Sequence, residues 1–311
     1  MRRVKKAIGH SLILHRALSA ALAHDCLNLA QSAAYSAMVA LFPALIVAGA
    51  AIAILPDTTP LRYEVGAFFD KVLPAYVFPL LTGYFASSPG SPHTARALIL
   101  AGLVSLTGGS SVLATLMEGL RRAEDLPNDC WTFWQRRSRA LLLVPLSLVP
   151  LAISTVLVIF GQFITAWLAG RLAVELQPAF YGIATAARWI VSLGGVVGLT
   201  ALIFHMGTPK KQNWVRMLPG ALVATGLWFL TTLVFGWYVT RFANYSQVYG
   251  SLGAGIALLF WLYIVFLSLL IGAEFNAQFF LSYFIPQGAR AVPADAPLEP
   301  APPHDLPNAI G

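Results

Sequence analysis

Charge is scarce in this chain. Of its 311 residues only 11% are Asp, Glu, Lys or Arg, against about 25% in soluble domains. A water-soluble surface of this size cannot be built from so few charges. Cysteine is nearly absent as well: Cys26 and Cys130 stand alone, without a C-x-x-C or a Cys/His spacing. That excludes a sequence-encoded zinc module or dithiol redox motif, and both residues read as inert thiols. No G-x-x-x-x-G-K-[ST] stretch occurs, so the chain has no phosphate loop of its own and nucleotide energy would have to come from a partner. The six histidines (His10, His15, His24, His93, His205 and His304) are scattered and form no H-x-H-x-D cluster. Neither a metal nor a cofactor is expected.

What the chain has instead is long apolar runs. Six of them read Leu29–Leu55, Ala95–Leu116, Ala140–Leu168, Ile183–Met206, Leu218–Val239 and Leu252–Phe275, in a sequence that is 58% hydrophobic. At about 1.5 Å of rise per residue each covers a hydrocarbon core of roughly 30 Å. Such a core offers no water to backbone N–H and C=O groups, so a span is a helix or belongs to a closed barrel. The run LLLVPLSLVPLAISTVLVIF lacks the in–out alternation of barrel strands. The expected fold is therefore all-α: a polytopic bundle of six transmembrane helices with amphipathic interfacial helices.

Basic residues orient the bundle. The net charge is +7, a value that could point to nucleic acid, but its placement argues for topology instead. Fourteen Lys and Arg fall on one side of the predicted spans, among them Arg2, Lys5, Arg121, Arg136, Arg139, Lys210 and Arg216. Four (Arg62, Lys71, Arg171 and Arg241) fall on the other, and Arg96 and Arg188 lie at or inside helix ends. Positive-inside orientation makes the richer side cytoplasmic, with both termini there. The basic start resembles a signal-peptide n-region, yet His10, His15 and Arg16 interrupt what would be its apolar stretch. Val4–Leu27 reads better as an interfacial helix, with Val4, Ile8, Leu12, Leu18 and Leu22 at helical spacing.

Three regions follow: a cytoplasmic amphipathic segment over 1–28, a transmembrane domain over 29–285 and a Pro-rich tail over 286–311 expected to be disordered. Within the external stretch 56–94, apolar residues from Leu61 to Tyr84 suit one or two short helices on the outer leaflet. Lipid does not drive helices together, so small residues and hydrogen bonds must. Thr107-Gly-Gly-Ser-Ser111, the Gly194, Gly195 and Gly198 face, and Gln31-Ser-Ala-Ala-Tyr-Ser36 supply them. They fit tight packing, self-association into an oligomer, or a polar seam lining a cavity.

Two stretches carry a resemblance. Leu29–Val47 reads LAQSAAYSAMVALFPALIV, and Asn244–Phe279 reads NYSQVYGSLGAGIALLFWLYIVFLSLLIGAEFNAQF. Together they resemble the YihY/BrkB family of bacterial inner-membrane proteins, over about residues 10–285. The resemblance implies a cytoplasmic-membrane protein linked to envelope integrity, with membrane lipids, and an anionic lipid or lipopolysaccharide precursor, as its partners. The family also carries an old ribonuclease label. RNA hydrolysis needs clustered acid/base groups or metal ligands, and the sequence lines up none, so neither an enzyme nor a nucleic-acid partner is expected. The leading expectation is a passive or ion-coupled translocator of lipids or other amphiphiles, and a non-transporting scaffold for envelope assembly is the alternative from a different class.

The candidate transport or gating residues are few. Glu274 and Arg188 are the charges committed to the bilayer, where an ionised group costs about 2.5–3.5 kcal/mol at the centre. Glu274 calls for a cytoplasmic Arg or an orphan helix end as its partner, or else serves as a gate, proton or headgroup contact. Arg188 reads as a snorkelling anchor or an outward headgroup contact. Gln31 and Ser110 represent the polar seam. Asn244 and Tyr249 sit in the external turn before the last span. A fluorescent reporter fused to the carboxyl end is expected to light up on the cytoplasmic side only; a periplasmic signal would reverse the topology.

Overall fold

The computed structural model describes residues 2–53, 92–171, 176–209, 213–242 and 251–284. They form seven helices and one short 3-10 turn, and no strand occurs among the described residues. In chain order these are α1 (Arg2–Ala23), α2 (Cys26–Ala53), α3 (Pro92–Ala123), α4 (Phe133–Ala169), α5 (Gln177–Gly207), the turn Trp214–Met217, α6 (Leu218–Phe242) and α7 (Ser251–Phe284). Helices α2 to α7 each contain a stretch long and apolar enough to cross a membrane. The six-span reading therefore holds. The external helices expected between Leu61 and Tyr84 and the tail over 286–311 lie outside the described residues.

Several helices outrun the bilayer. α4 has 37 residues, about 55 Å at about 1.5 Å each, beyond a hydrocarbon core of about 30 Å. Its first turn carries exposed Phe133 and Trp134, rings suited to the interface. The Gln135 side chain accepts the Thr132 backbone N–H at 3.2 Å, occupying a donor at the helix start. Pro43 in α2 and Pro145 and Pro150 in α4 lie inside continuous helices.

The spans pair in a definite pattern. α2 packs on α3, α6 on α7 and α4 on α5, while α7 also packs on α2 and α1. Small residues set the closest approaches. A Cβ at Gly108 would come within 2.7 Å of the Ala40 methyl, so α2 and α3 nearly touch there. On α6 and α7, a Cβ at Gly272 would lie 2.8 Å from the Gly220 carbonyl oxygen and 2.9 Å from the Ala224 Cα. Asn276 works at the same contact: its Oδ1 accepts the Gly220 N–H at 3.1 Å. Gly220 lies in the first turn of α6, where N–H groups lack helical partners. Of the glycine face expected on the fourth span, Gly195 alone is tight, against Ser154 and the Pro150 carbonyl. Around Gly194 and Gly198 nothing lies within 4 Å.

α1 is amphipathic as expected but uses a different stripe. Ile13, Ala17 and Ala21 are buried, spaced by four, while Leu18 and Leu22 point outward. Ile13 and Ala17 pack with Phe275 of α7, and Val223 of α6 and Phe279 of α7 close the cluster. The helix ends at Ala23 rather than Leu27, because Asp25 turns into the left-handed region at φ 62°.

Gly272→Ala is expected to destabilise the bundle by about 1–3 kcal/mol, since the added methyl meets backbone that cannot yield. Gly198→Ala, facing open space, should leave stability unchanged. Thermal unfolding of the two purified variants in the same detergent decides the comparison.

Candidate functional site

Polar side chains gather at the end of the bundle where α1 meets α2 and α3 runs toward α4. Two short connections meet there. One is His24–Asp25; the other begins at Glu124–Asp125, and both Asp25 and Asp125 have positive φ, 62° and 51°. Backbone bonds from His24 N–H to the Ala20 carbonyl (2.8 Å) and from Asp125 N–H to the Arg122 carbonyl (3.0 Å) fix the two turns. Asn28 Nδ2 donates to Asp25 Oδ1 at 2.7 Å, which braces the first.

Glu274 enters this end from α7. It is wholly buried, and its Oε1 lies 2.7 Å from His24 Nδ1. The other ring nitrogen, Nε2, faces Asp125 Oδ1 at 3.4 Å. One imidazole thus stands between a carboxylate with no exposure and one that is 76% exposed. The Cys26 thiol points at the same Glu274 oxygen, 3.8 Å away. The second carboxylate oxygen of Glu274, Oε2, is buried with no hydrogen-bond partner.

A second cluster adjoins the first. Glu118 of α3 binds Arg121 through two contacts of 3.0 and 2.7 Å, Arg122 at 3.0 Å and Arg136 of α4 at 3.4 Å. Charge-assisted bonds of this kind are short and directional. Arg121 also donates to the Leu126 carbonyl, closing the turn after α3. Arg122 links the two clusters: its Nη1 donates to the His24 carbonyl at 3.2 Å and lies 3.9 Å from Asp25.

The structure corrects the expected partner of Glu274. It is a histidine from the first turn, not an arginine. The orphan helix end nearby is served by Asn276. Sequence reading passed over His24 because 250 residues separate it from Glu274. The available signal was its place at the end of an amphipathic helix, next to Asp25, on the side that also holds Glu274.

The other candidates stand elsewhere. Ser110 is fully buried, and its hydroxyl donates to the Thr107 carbonyl at 2.8 Å within its own helix. Gln31 is exposed on the bundle exterior, so it does not join a seam with Ser110. Arg188 lies eleven residues past the first residue of α5, deeper than the span boundaries suggest. Its aliphatic stem crosses Gly161 of α4, where a Cβ would come within 2.7 Å of the Arg188 Cδ. Asn244 and Tyr249 lie outside the described residues. Among the described residues no three or more His, Cys, Asp or Glu side chains converge as a metal site would require.

A groove of about 770 Å³ opens between α6 and α7. Leu227, Val234 and Tyr238 line one wall, and Phe260, Ile264 and Ile271 belong to the other. Thr231 and Ser268 are polar points on an otherwise apolar lining, and Trp237 stands with Tyr238 at one end. Trp261 Nε1 donates to Thr232 Oγ1 at 3.3 Å, tying the two helices together.

A family model described as Virulence factor BrkB matches residues 17–291, which takes in both clusters and the groove. The chain belongs to the BrkB family. Among BrkB-type relatives, the ribonuclease-like protein YfkH of Bacillus subtilis is 27% identical over 82% of this chain and 90% of its own length. A UPF0761 membrane protein of Vibrio atlanticus is 27% identical over 88% of this chain and 85% of its own. The chain spans 54% of the length of the UPF0761 membrane protein RSc1559 of Ralstonia nicotianae, at 28% identity. No solved structure matches the chain. The GAEFNA segment behind the resemblance has separate structural duties in this BrkB chain: Gly272 lets α6 approach, Glu274 reaches His24 and Asn276 caps α6.

His24→Ala is expected to cost about 3–5 kcal/mol, because it leaves a buried carboxylate without its partner. His24→Ala combined with Glu274→Gln should cost less than the sum of the single changes. A double-mutant cycle on unfolding in detergent measures the coupling; strict additivity would show the two side chains to be independent.

Proposed function

We propose that this protein binds lipid-like amphiphiles from the bilayer and moves them, in the bacterial cytoplasmic membrane, in support of the envelope. The groove between α6 and α7 carries the reading. From Leu227 to Tyr238 its α6 wall is about 16 Å long at about 1.5 Å per residue, close to half of a hydrocarbon core of about 30 Å. Inside a bilayer acyl chains are the bulk material at hand to fill an apolar groove. An empty groove would forfeit the dispersion contacts of its lining. Leu230, Val234, Trp237 and Phe260 line it and are exposed at the bundle surface, so a chain enters sideways from the membrane.

The orientation proposed from basic residues puts the arginine-rich end in the cytoplasm, with both termini. Trp237 and Tyr238 then stand at the outer end of the groove. Arg188, half-buried with its stem across Gly161 of α4, is proposed as the contact for an anionic headgroup on the outward half.

A scaffold without transport has less support, since it calls for a solid bundle and this one is cleft. The ribonuclease reading has less still. Both ring nitrogens of His24 face carboxylates of the protein itself, and Arg121, Arg122 and Arg136 are committed to Glu118. Neither cluster leaves a histidine or an arginine free to act on an RNA phosphodiester.

Reconstituted in liposomes, the chain is expected to move a labelled phospholipid faster than protein-free vesicles do. Ala257 also lines the groove; Ala257→Phe, which fills it, should reduce the rate, and Arg188→Gln should slow anionic lipid more than zwitterionic. Rates equal to those of empty vesicles would reject the proposal. The same preparation, free of contaminating nuclease, should leave tRNA intact.

A further inference from the structure

The groove stops where α1 begins. On α7 its lining runs through Phe260, Ile264, Leu267 and Ile271. Glu274 follows three residues after Ile271 and seven after Leu267, which puts it on the same stripe of the helix, one turn on. Phe275 also follows Ile271, by four, and it packs against Ile13 and Ala17 of α1. On α6, Val223 precedes the groove residue Leu227 by one turn and packs on the same α1 cluster. α1 therefore lies on α7 just below the groove, where Gly220 and Gly272 bring α6 and α7 together. The carboxyl end of α1 is fastened there through His24, which touches Glu274 with its side chain and Arg122 with its carbonyl.

The fastening depends on protons. A carboxylate only accepts hydrogen bonds, and a neutral imidazole has a single N–H to give. Both ring nitrogens of His24 face carboxylate oxygens, at 2.7 and 3.4 Å. The ring serves both as a donor only when it is the doubly protonated imidazolium. Glu274 is fully buried, with one oxygen already unpartnered, whereas Asp125 is largely in solvent. Other ionisable groups face the pair from each neighbouring element. Asp25 is the next residue in the turn, and Cys26 of α2 lies 3.8 Å from the Glu274 oxygen. From α3 come Arg122 and, behind it, Glu118, which also holds Arg121 and Arg136 of α4.

We propose that His24 and Glu274 form a proton-binding site, reached from solvent through Asp125, whose occupancy keeps α1 seated on α7 at the closed end of the lipid groove. This rests on the groove reading above. With the proton bound, the imidazolium donates from Nδ1 to Glu274 and from Nε2 to Asp125. The proton leaves from Nε2 to the Asp125 carboxylate and on to water, and the ring becomes neutral. The ring keeps its Nδ1–H toward Glu274, but the imidazolium charge is gone, so a buried ion pair becomes a hydrogen bond from a neutral donor and the seat of α1 weakens. The weakened His24 turn then releases more readily, Glu274 regains water, and α1 lifts from α7. An amphiphile driving down the groove against α1 produces the same release, so filling and deprotonation are coupled. One proton leaves per event, and no covalent bond other than N–H changes.

The test uses the full chain in detergent, in weakly buffered solution with a pH indicator. A pyrene-labelled phosphatidylglycerol is added. Energy transfer from tryptophan, assigned to the groove by comparison with Trp237→Phe, reports occupancy. Occupancy is expected to release about one proton per chain. His24→Gln and Glu274→Gln should release none. Asp125→Asn, on an exposed residue whose loss does not threaten folding, should slow release. Energy transfer without proton release in the native chain, or undiminished release from His24→Gln, would overturn the coupling while leaving the groove intact. Absence of energy transfer would overturn the groove itself, and the coupling with it.

Discussion

A bilayer interior will not solvate a polar atom, and that constraint shapes the whole molecule. It makes each crossing a helix, since only a helix satisfies its own backbone. It also removes the hydrophobic push between helices, so contact must come from close fit. The α6–α7 pair shows the solution: Gly220, Ala224 and Gly272 bring two backbones together, and Asn276 accepts an N–H that the start of α6 leaves open. The same constraint confines ionisable residues to places where the protein supplies the solvation. Glu274 is tolerable in its dry position because an imidazole reaches it.

Charged side chains are accordingly grouped by partner. Around Glu118 three guanidinium groups converge on one carboxylate, and Arg122 extends that group to the His24–Asp25 turn. The effect is to weld α3, α4 and the α1–α2 turn into one end-plate. The opposite half of the α6–α7 cleft has no such weld and stays open as a groove. Rigidity at one end and a lateral opening toward the other suit a protein that admits a guest from the membrane.

The architecture was largely legible in the sequence, because runs above 20 apolar residues admit few readings. Boundaries were less so. α5 begins at Gln177 rather than Ile183 and α4 at Phe133 rather than Ala140, since helices continue into the interface after hydropathy falls. The site was half legible. Glu274 stood out as a charge in an apolar run, but its partner did not, because pairing between the first turn and the last helix is a property of the packing. Gln31 misled for the opposite reason: a polar residue near a helix start faces the interface as readily as a seam, and this one is exposed. The α1 stripe misled as well. Leucines mark an apolar face in a periodicity count, whereas the close contact with α7 uses the smaller Ala17.

The linkage between His24 and Glu274 spans 250 residues. A ribosome adding about 5–20 residues per second needs roughly 12–50 s to cover that separation. For that interval the amino-terminal helix has no dock, because the phenylalanine it will rest on has not been synthesised. Its outward leucines, Leu14, Leu18 and Leu22, give the newborn segment a temporary berth on the lipid surface until the final crossing arrives.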